Sequence, residues 1–247
     1  MEAQLAMEQV LKNHESPDSL SFQSAKNNLG FIYSSQGRWK EVLEMFIQAM
    51  ETKLRMLGQE HPATLEMMAN VTATYFSQER WNEAETLFVQ VRETSERLLG
   101  QEHPNTLDTM TNLAATYNGQ SRWKEAEELL VQGIEMCLRV LVQEHPRTMD
   151  TMANLATTYS WQGRLQEAEE LDVLVLETRT RVLGQEHPDT FKSIGTVASI
   201  YSSLERWKET EDLFVRVIET EKMVLGQEHP DTVASMANLT NTYSNLG

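Results

Sequence analysis

Apolar residues fall at helical spacing in this chain, in paired stripes that recur along its length. In one copy of the pattern, Met68, Val71 and Tyr75 lie on one helical face. After a polar break, Ala84 and Phe88 begin a second stripe of the same kind. Such stripes are typical of amphipathic helices that bury one face against a neighbour. The pattern therefore predicts two helices in each copy, joined as a hairpin.

The copies follow one another with a constant period of 42 residues. Tyrosines and histidines mark this period, at Tyr33, Tyr75, Tyr117, Tyr159, Tyr201 and Tyr243 and at His61, His103, His145, His187 and His229. Self-similarity at a period of about 20 to 50 residues is typical of solenoids, in which each unit packs only against its neighbours. We therefore predict an all-α solenoid of five hairpins plus terminal helices, in a single domain over residues 1–247. It divides into a lead-in helix at 1–15, repeats at 16–57, 58–99, 100–141, 142–183 and 184–225, and a final half repeat at 226–247.

Local signals predict the ends of the helices. A His-Pro pair such as His61-Pro62 predicts the start of a first helix, because proline at the first helical position lacks only a donor that has no partner there. Gly58 and Gly100 stand where second helices must stop, which suits a residue with positive φ. The histidines are therefore predicted to cap and pack the loops. A shared metal is excluded, because a whole hairpin separates successive histidines, whereas zinc ligands lie about 2.0 to 2.3 Å from one ion.

Residues of the third copy resemble the tetratricopeptide repeat. They are Leu113, Ala114 and Tyr117 in the first helix, and Ala126, Leu130 and Gly133 in the second. The period of 42 exceeds the 34 usual in that family. This long form resembles the repeats of kinesin light chains and of the C-terminal arrays of NLR-type NTPase receptors. The resemblance implies a right-handed superhelix whose first helices line a concave groove, and a peptide or protein bound in that groove.

Composition narrows the range of partners. The chain has 21 Lys and Arg against 37 Asp and Glu, a net charge of −16, which disfavours nucleic acids and anionic membrane surfaces. We see no basic leader and no apolar run near the ~18 residues of a membrane-spanning helix. The single Cys137 cannot form an internal disulfide, which favours a reducing compartment. We expect a cytoplasmic protein whose partner is a protein or peptide, with neither nucleic acid nor membrane as a ligand.

No catalytic motif stands out. We find no Gly-rich phosphate loop and no G-x-S-x-G motif, and we predict neither a cofactor nor a metal. An arginine precedes each second helix, at Arg38, Arg80, Arg122, Arg164 and Arg206. Because a glutamate such as Glu41 or Glu83 follows three residues later, local ion pairs are the expected role of this row. The sequence thus favours a recognition module over an enzyme.

One polar row points away from the predicted core. It consists of asparagines, at Asn28, Asn70, Asn112, Asn154 and Asn238. A carboxamide can both donate to and accept from a peptide backbone, so the row predicts a peptide-binding face. Glu66, Asp108 and Asp150 make one wall of this face acidic, which predicts a ligand with basic residues, and Trp161 is its predicted aromatic hot spot. Alternatively, the asparagines bond the backbone of the neighbouring copy and only stabilise the array.

Two features depart from the regular pattern. Asp172 takes the place of Phe46, Phe88 and Phe214. Since burial of a lone carboxylate is costly, we expect the local helix to shift until Asp172 reaches water, with a hinge or partner contact as the alternative. The sequence also stops at Gly247, within a copy, which favours a fragment of a longer array or an end that dimerises through the open final helix. A self-associating array, or the sensor part of a larger NTPase receptor, is therefore the second functional hypothesis.

Overall fold

The computed structural model describes residues 32–33, 38–141 and 143–246, and all the regular structure in those ranges is helical. Ten helices run through this part of the chain: α1 (Trp39–Leu57), α2 (Pro62–Ser77), α3 (Trp81–Leu99), α4 (Pro104–Gly119), α5 (Trp123–Val140), α6 (Pro146–Trp161), α7 (Leu165–Leu183), α8 (Pro188–Ser203), α9 (Trp207–Val224) and α10 (Pro230–Leu246). The predicted lead-in helix at 1–15 and Asn28 lie outside the described residues. The predicted all-α fold is confirmed, and the four copies from 58 to 225 each contain the predicted pair of helices.

Each described first helix starts at a His-Pro pair, as predicted. Nδ1 of His61 accepts a hydrogen bond from the backbone N–H of Ala63 at 3.1 Å, and Pro62 occupies the first turn. The later copies repeat this bond at 3.1 to 3.3 Å. It satisfies one of the N–H groups that a helix start leaves without a partner. The capping role of the histidines is therefore confirmed.

A buried threonine lies three residues after each of the five capping histidines, and in three copies its hydroxyl closes the same loop. The hydroxyl of Thr106 donates to the carbonyl of Gly100 at 2.9 Å, and that of Thr190 donates to Gly184 at 2.8 Å. The two glycines have φ of 93° and 91° with ψ of 163° and 167°, a region open almost only to glycine. The glycine conformation ends the second helix, and the threonine bond connects that end to the first turn of the helix that follows. The sequence analysis recognised the glycines but overlooked the threonines.

The helices divide into two compact units, one ending at Ser121 and the other beginning at Arg122. The first unit includes α1 to α4, and its core cluster consists of Tyr33, Val42, Leu43, Phe46, Ala49, Met67 and Val71. The second unit contains α5 to α10, with one cluster around Met149, Met152 and Val175 and another around Phe191, Ala198, Phe214, Val217 and Ile218. In both units the core side chains come from the apolar stripes that the period predicts.

The arginine before each second helix connects neighbouring elements. Arg164 pairs with Glu167 at 2.5 Å and with Glu127 of the preceding copy at 2.8 Å, and its guanidinium lies 3.9 Å from the ring centroid of Tyr159. Arg206 repeats the arrangement with Glu209, Glu169 and Tyr201. The predicted local ion pairs are confirmed. The structure adds a contact with the tyrosine of the same copy and, in these two cases, an ion pair with the previous copy.

Candidate functional site

A cavity of about 500 Å³ lies in the first unit, among α2, α3 and α4. Its floor is formed by Phe88, Val91 and Ser95 of α3, all of which are buried. Glu66 of α2 and Asp108 of α4 lie at its exposed rim. The volume is within the range of about 300 to 1,000 Å³ that is usual for ligand sites, which are mostly apolar with a few polar groups. The cavity therefore has the size and lining of a binding site.

Three residues predicted from the sequence to bind a peptide line this cavity together: Glu66, Asp108 and Asn112. Glu66 forms no ion pair with another described residue. Asn70 lies half-buried on α2 and does not line the cavity. The acidic residues and one asparagine of the predicted face thus surround an apolar floor that the sequence analysis assigned only to the core.

The described asparagines differ in exposure but share one backbone contact. Asn112 and Asn238 are exposed, whereas Asn70 and Asn154 are half-buried. The backbone carbonyl of each accepts a hydrogen bond from a threonine hydroxyl one turn later, at 2.8 to 2.9 Å. No hydrogen bond joins any of the four carboxamides to another described residue. Within the described ranges, the side chains therefore keep their capacity to donate and accept.

A smaller cavity of about 220 Å³ lies in the second unit, between α8 and α10. Asn238 lines one side of it, Gly195 and Ser199 line the other, and Phe214 contributes from below. The small neutral side chains leave room for another backbone to approach the asparagine. Trp161, the predicted hot spot, is the last residue of α6; it is 52% exposed and lies outside these cavities.

The fourth copy contains a nearly closed counterpart of the first cavity. It has a volume of about 20 Å³, and eight of its nine lining residues lie 84 positions after residues that line the large cavity. Arg179 replaces Ser95 and fills the space. Its Nη1 donates to Oγ of Ser193 at 2.8 Å, and its Nη2 donates to the carboxylate of Asp150. Asp150, predicted as part of an acidic wall, is therefore paired within the chain.

Asp172 stays in the core of the fourth copy, so the predicted shift of its helix towards water is wrong. α7 continues without interruption from Leu165 to Leu183, and Asp172 is only 3% exposed. Burial raises the pKa of Asp172 to about 7, although Arg179 and a hydrogen bond from Thr196 oppose this rise. The carboxyl is tolerated because Arg179, two turns along the same helix, introduces a compensating charge.

The position of Ser95 was not among the residues predicted from the sequence. Its counterparts in the later copies are Cys137, Arg179 and Glu221, and all four side chains are buried. A position that changes chemical class from copy to copy, in an otherwise repetitive chain, was a signal available in the sequence. In the fifth copy, burial raises the pKa of Glu221, and its Oε2 has no hydrogen-bond partner among the described residues.

No group of three or more His, Cys, Asp or Glu side chains in the described ranges could hold a metal ion. No helix there combines the length and the apolar composition needed to cross a membrane.

The helical pairs and their loops define an all-α repeat scaffold, and comparison with known families identifies its class. Models described as tetratricopeptide repeat match residues 21–90, 67–139, 148–189 and 190–231. The chain belongs to the tetratricopeptide-repeat family. Repeats of this family typically form scaffolds for protein interaction, and the chain is a protein-interaction module in this general sense.

Solved structures support the same fold and the long form of the repeat. Two crystal structures of a Podosopora anserina protein assigned as a kinesin light chain, with nearly identical TPR-like repeats, are 27% and 28% identical to this chain. Each match covers 85% of this chain and 98% of the other, with TM-scores of 0.70 and 0.68. The predicted kinesin-light-chain-like type of repeat is confirmed.

More distant structures share the fold alone. BtubC (BKLC) from P. vanneervenii is 14% identical, with 93% of this chain and 90% of that chain covered and a TM-score of 0.70. NprR in complex with its cognate peptide NprX is 15% identical, with coverage of 98% and 66% and a TM-score of 0.70. No curated protein matches the sequence.

Proposed function

We propose that this chain is a non-catalytic recognition module that binds an extended or helical segment of a protein partner against its first helices. The observation that carries this proposal is the cavity among α2, α3 and α4, where Glu66, Asp108 and Asn112 surround an apolar floor. An apolar floor provides area to bury, and a few polar groups at the rim orient the ligand. Such a combination suits a side chain inserted from a peptide whose backbone runs over the surface.

Charge favours a partner with basic residues. Two carboxylates, those of Glu66 and Asp108, lie at the rim of the cavity, and the whole chain has a net charge of −16. Complementary charge at a rim speeds association and excludes partners of like charge. The NprR structure is an example of this fold with a bound peptide.

The asparagines support recognition of a peptide backbone. Their carboxamides form no hydrogen bond with other described residues, and each can donate to a carbonyl and accept from an amide. A neutral hydrogen bond contributes roughly 0.5 to 1.5 kcal/mol net. Several such bonds therefore contribute to affinity without selecting a sequence, and selection falls to the cavity.

The test begins with a display library of short random peptides, selected against the folded chain. Binding of the selected peptides is then measured by fluorescence anisotropy for a variant that combines Asn70→Ala, Asn112→Ala and Asn154→Ala. We expect affinity to fall by about tenfold or more, the equivalent of losing a few hydrogen bonds. Circular dichroism checks that the variant stays folded.

A matched control removes three carboxamides elsewhere at the same period. Gln48, Gln90 and Gln132 are exposed on second helices and line none of the described cavities. Their combined replacement by alanine is expected to leave peptide affinity unchanged. If no peptide is selected, or if the asparagine variant binds as well as the parent chain, the proposal is wrong. Light scattering over a range of protein concentrations tests the second hypothesis, since a monomer at every concentration argues against self-association.

A further inference from the structure

In the fourth copy, a side chain of the chain itself, Arg179, takes up the space that the second copy leaves open. The two cavities are built from corresponding residues, but one measures about 500 Å³ and the other about 20 Å³. Among the positions that differ, Ser95 is replaced by Arg179, a much larger side chain that lines the small cavity. The guanidinium of Arg179 therefore shows how a side chain of this type fits these walls.

The partners of Arg179 have counterparts in the open cavity. The hydroxyl of Ser193 donates to the carbonyl of Asp189 at 3.0 Å and accepts from Arg179. In the second copy, the hydroxyl of Thr109 likewise donates to the carbonyl of Asn105, at 2.7 Å. A hydroxyl that donates one hydrogen bond can still accept another. Thr109 thus offers the same acceptor as Ser193, at a wall of the open cavity.

The acidic partner of Arg179 also has a counterpart in the second copy. Asp150, which receives Nη2 of Arg179, corresponds to Glu66 of the second copy. Glu66 lines the open cavity and pairs with no described residue. A carboxylate and a hydroxyl thus stand where a guanidinium would be held.

We propose that the cavity among α2, α3 and α4 binds an arginine side chain of the peptide partner, with its guanidinium between Glu66 and Thr109. This inference rests on the proposed function and names the side chain that the site selects. The other differences between the copies fit a cation that comes from outside. Phe88 replaces Asp172 and puts an aromatic ring in the lining in place of a carboxyl group, while Asp108 replaces Lys192 and adds a second carboxylate at the rim.

Arginine fits this cavity better than lysine. The guanidinium is planar and donates in several directions, so it can bond a carboxylate and a hydroxyl together, as Arg179 does. The ammonium of lysine is a compact and strongly hydrated charge, and the buried floor of Phe88, Val91 and Ser95 offers it little in place of its water.

The experiment uses the peptides selected on the full chain, and replaces each arginine in turn with citrulline, which keeps the shape but not the charge. At one of these positions, the citrulline peptide is expected to bind about tenfold or more weakly, which is the loss typical of a hydrogen bond to a charged group. Ser95→Arg, which copies the fourth repeat, is expected to close the cavity and weaken the parent peptide to a similar extent. Gln90→Arg adds the same charge at an exposed position of α3 outside the cavity, and should bind nearly as the parent chain does.

A second variant keeps the test decisive if Ser95→Arg does not fold. Glu66→Gln removes the proposed carboxylate partner, while Glu93→Gln changes an exposed glutamate of α3 outside the cavity. We expect the citrulline effect to shrink in Glu66→Gln and to remain in Glu93→Gln. Selected peptides that tolerate citrulline, or whose arginine is insensitive to Glu66→Gln, would overturn the inference and leave the proposed function standing. Selection of no peptide at all would overturn both.

Discussion

Asp172 and Arg179 lie seven residues apart on α7, and they are only 3% and 6% exposed. In the second copy the same two positions hold Phe88 and Ser95. In the fourth copy the charge of Arg179 partly offsets the burial of Asp172, whose pKa is still raised. The hydrogen bonds of Arg179 itself include those to Ser193 and to the carboxylate of Asp150.

Removal of Arg179 alone should destabilise the second unit strongly. Arg179→Met keeps most of the side-chain volume but leaves Asp172 without its compensating charge. A buried charge left without compensation typically costs about 3 to 5 kcal/mol, and urea unfolding at pH 8 would measure the loss. Asp172→Phe combined with Arg179→Ser restores the residues of the second copy and should recover much of it. If the changes in unfolding free energy of the single variants Asp172→Phe and Arg179→Ser add up to that of the double variant, the two residues are not coupled.

The buried Asp172 predicts a specific pH dependence. Its pKa in the folded chain is about 7, against an ordinary value of 3.8. Between these values the folded state binds a proton that the unfolded state releases, so the contribution of Asp172 to the free energy of unfolding falls as pH rises and then levels off above pH 7. Asp172→Asn cannot ionise and should lack this fall. Urea unfolding of both proteins across this range should show their difference growing with pH, whereas parallel profiles would contradict the assignment.

These two residues also show where prediction from the sequence ends. The His-Pro and glycine signals act within a few residues, so they predicted helix ends that the structure confirms at His61 and Gly100. The state of Asp172 depends instead on Arg179, and through it on Asp150 and Ser193 of neighbouring helices. A rule about lone buried carboxylates could not anticipate such a partner.

The open cavity was only partly predictable for the same reason. Helical periodicity identified Glu66, Asp108 and Asn112 as facing away from the core, because that depends on position along a single helix. The space between them depends on the size of the side chain at Ser95, which belongs to another helix and was not considered. A comparison of the copies position by position would have found it.

The histidine caps predict a local loss of stability. In His61→Ala, the N–H of Ala63 loses the Nδ1 acceptor that it has at 3.1 Å, and the expected cost is about 0.5 to 2 kcal/mol. His61→Asn keeps a side-chain acceptor and should recover most of this loss. Thermal unfolding followed by circular dichroism compares the three proteins. Equal midpoints would mean that the cap contributes nothing measurable at this helix.

The environment of Glu221 predicts that replacing this residue will stabilise the chain. It is 3% exposed, its Oε2 has no hydrogen-bond partner among the described residues, and burial raises its pKa despite a hydrogen bond from Ser235. A raised pKa means that the charged form is disfavoured in the fold. Glu221 therefore lowers the free energy of unfolding at high pH, and this effect disappears as the carboxyl is protonated.

Glu221→Gln removes that charge with almost no change of shape. We expect a gain of about 1 kcal/mol in the free energy of unfolding at pH 8, similar to the cost of one poorly satisfied buried polar group, and no gain at pH 4. Glu219→Gln, at an exposed position of the same helix, controls for the change in net charge. A gain shared by both variants would trace to the overall charge of −16, and one confined to Glu221→Gln would trace to the buried carboxylate.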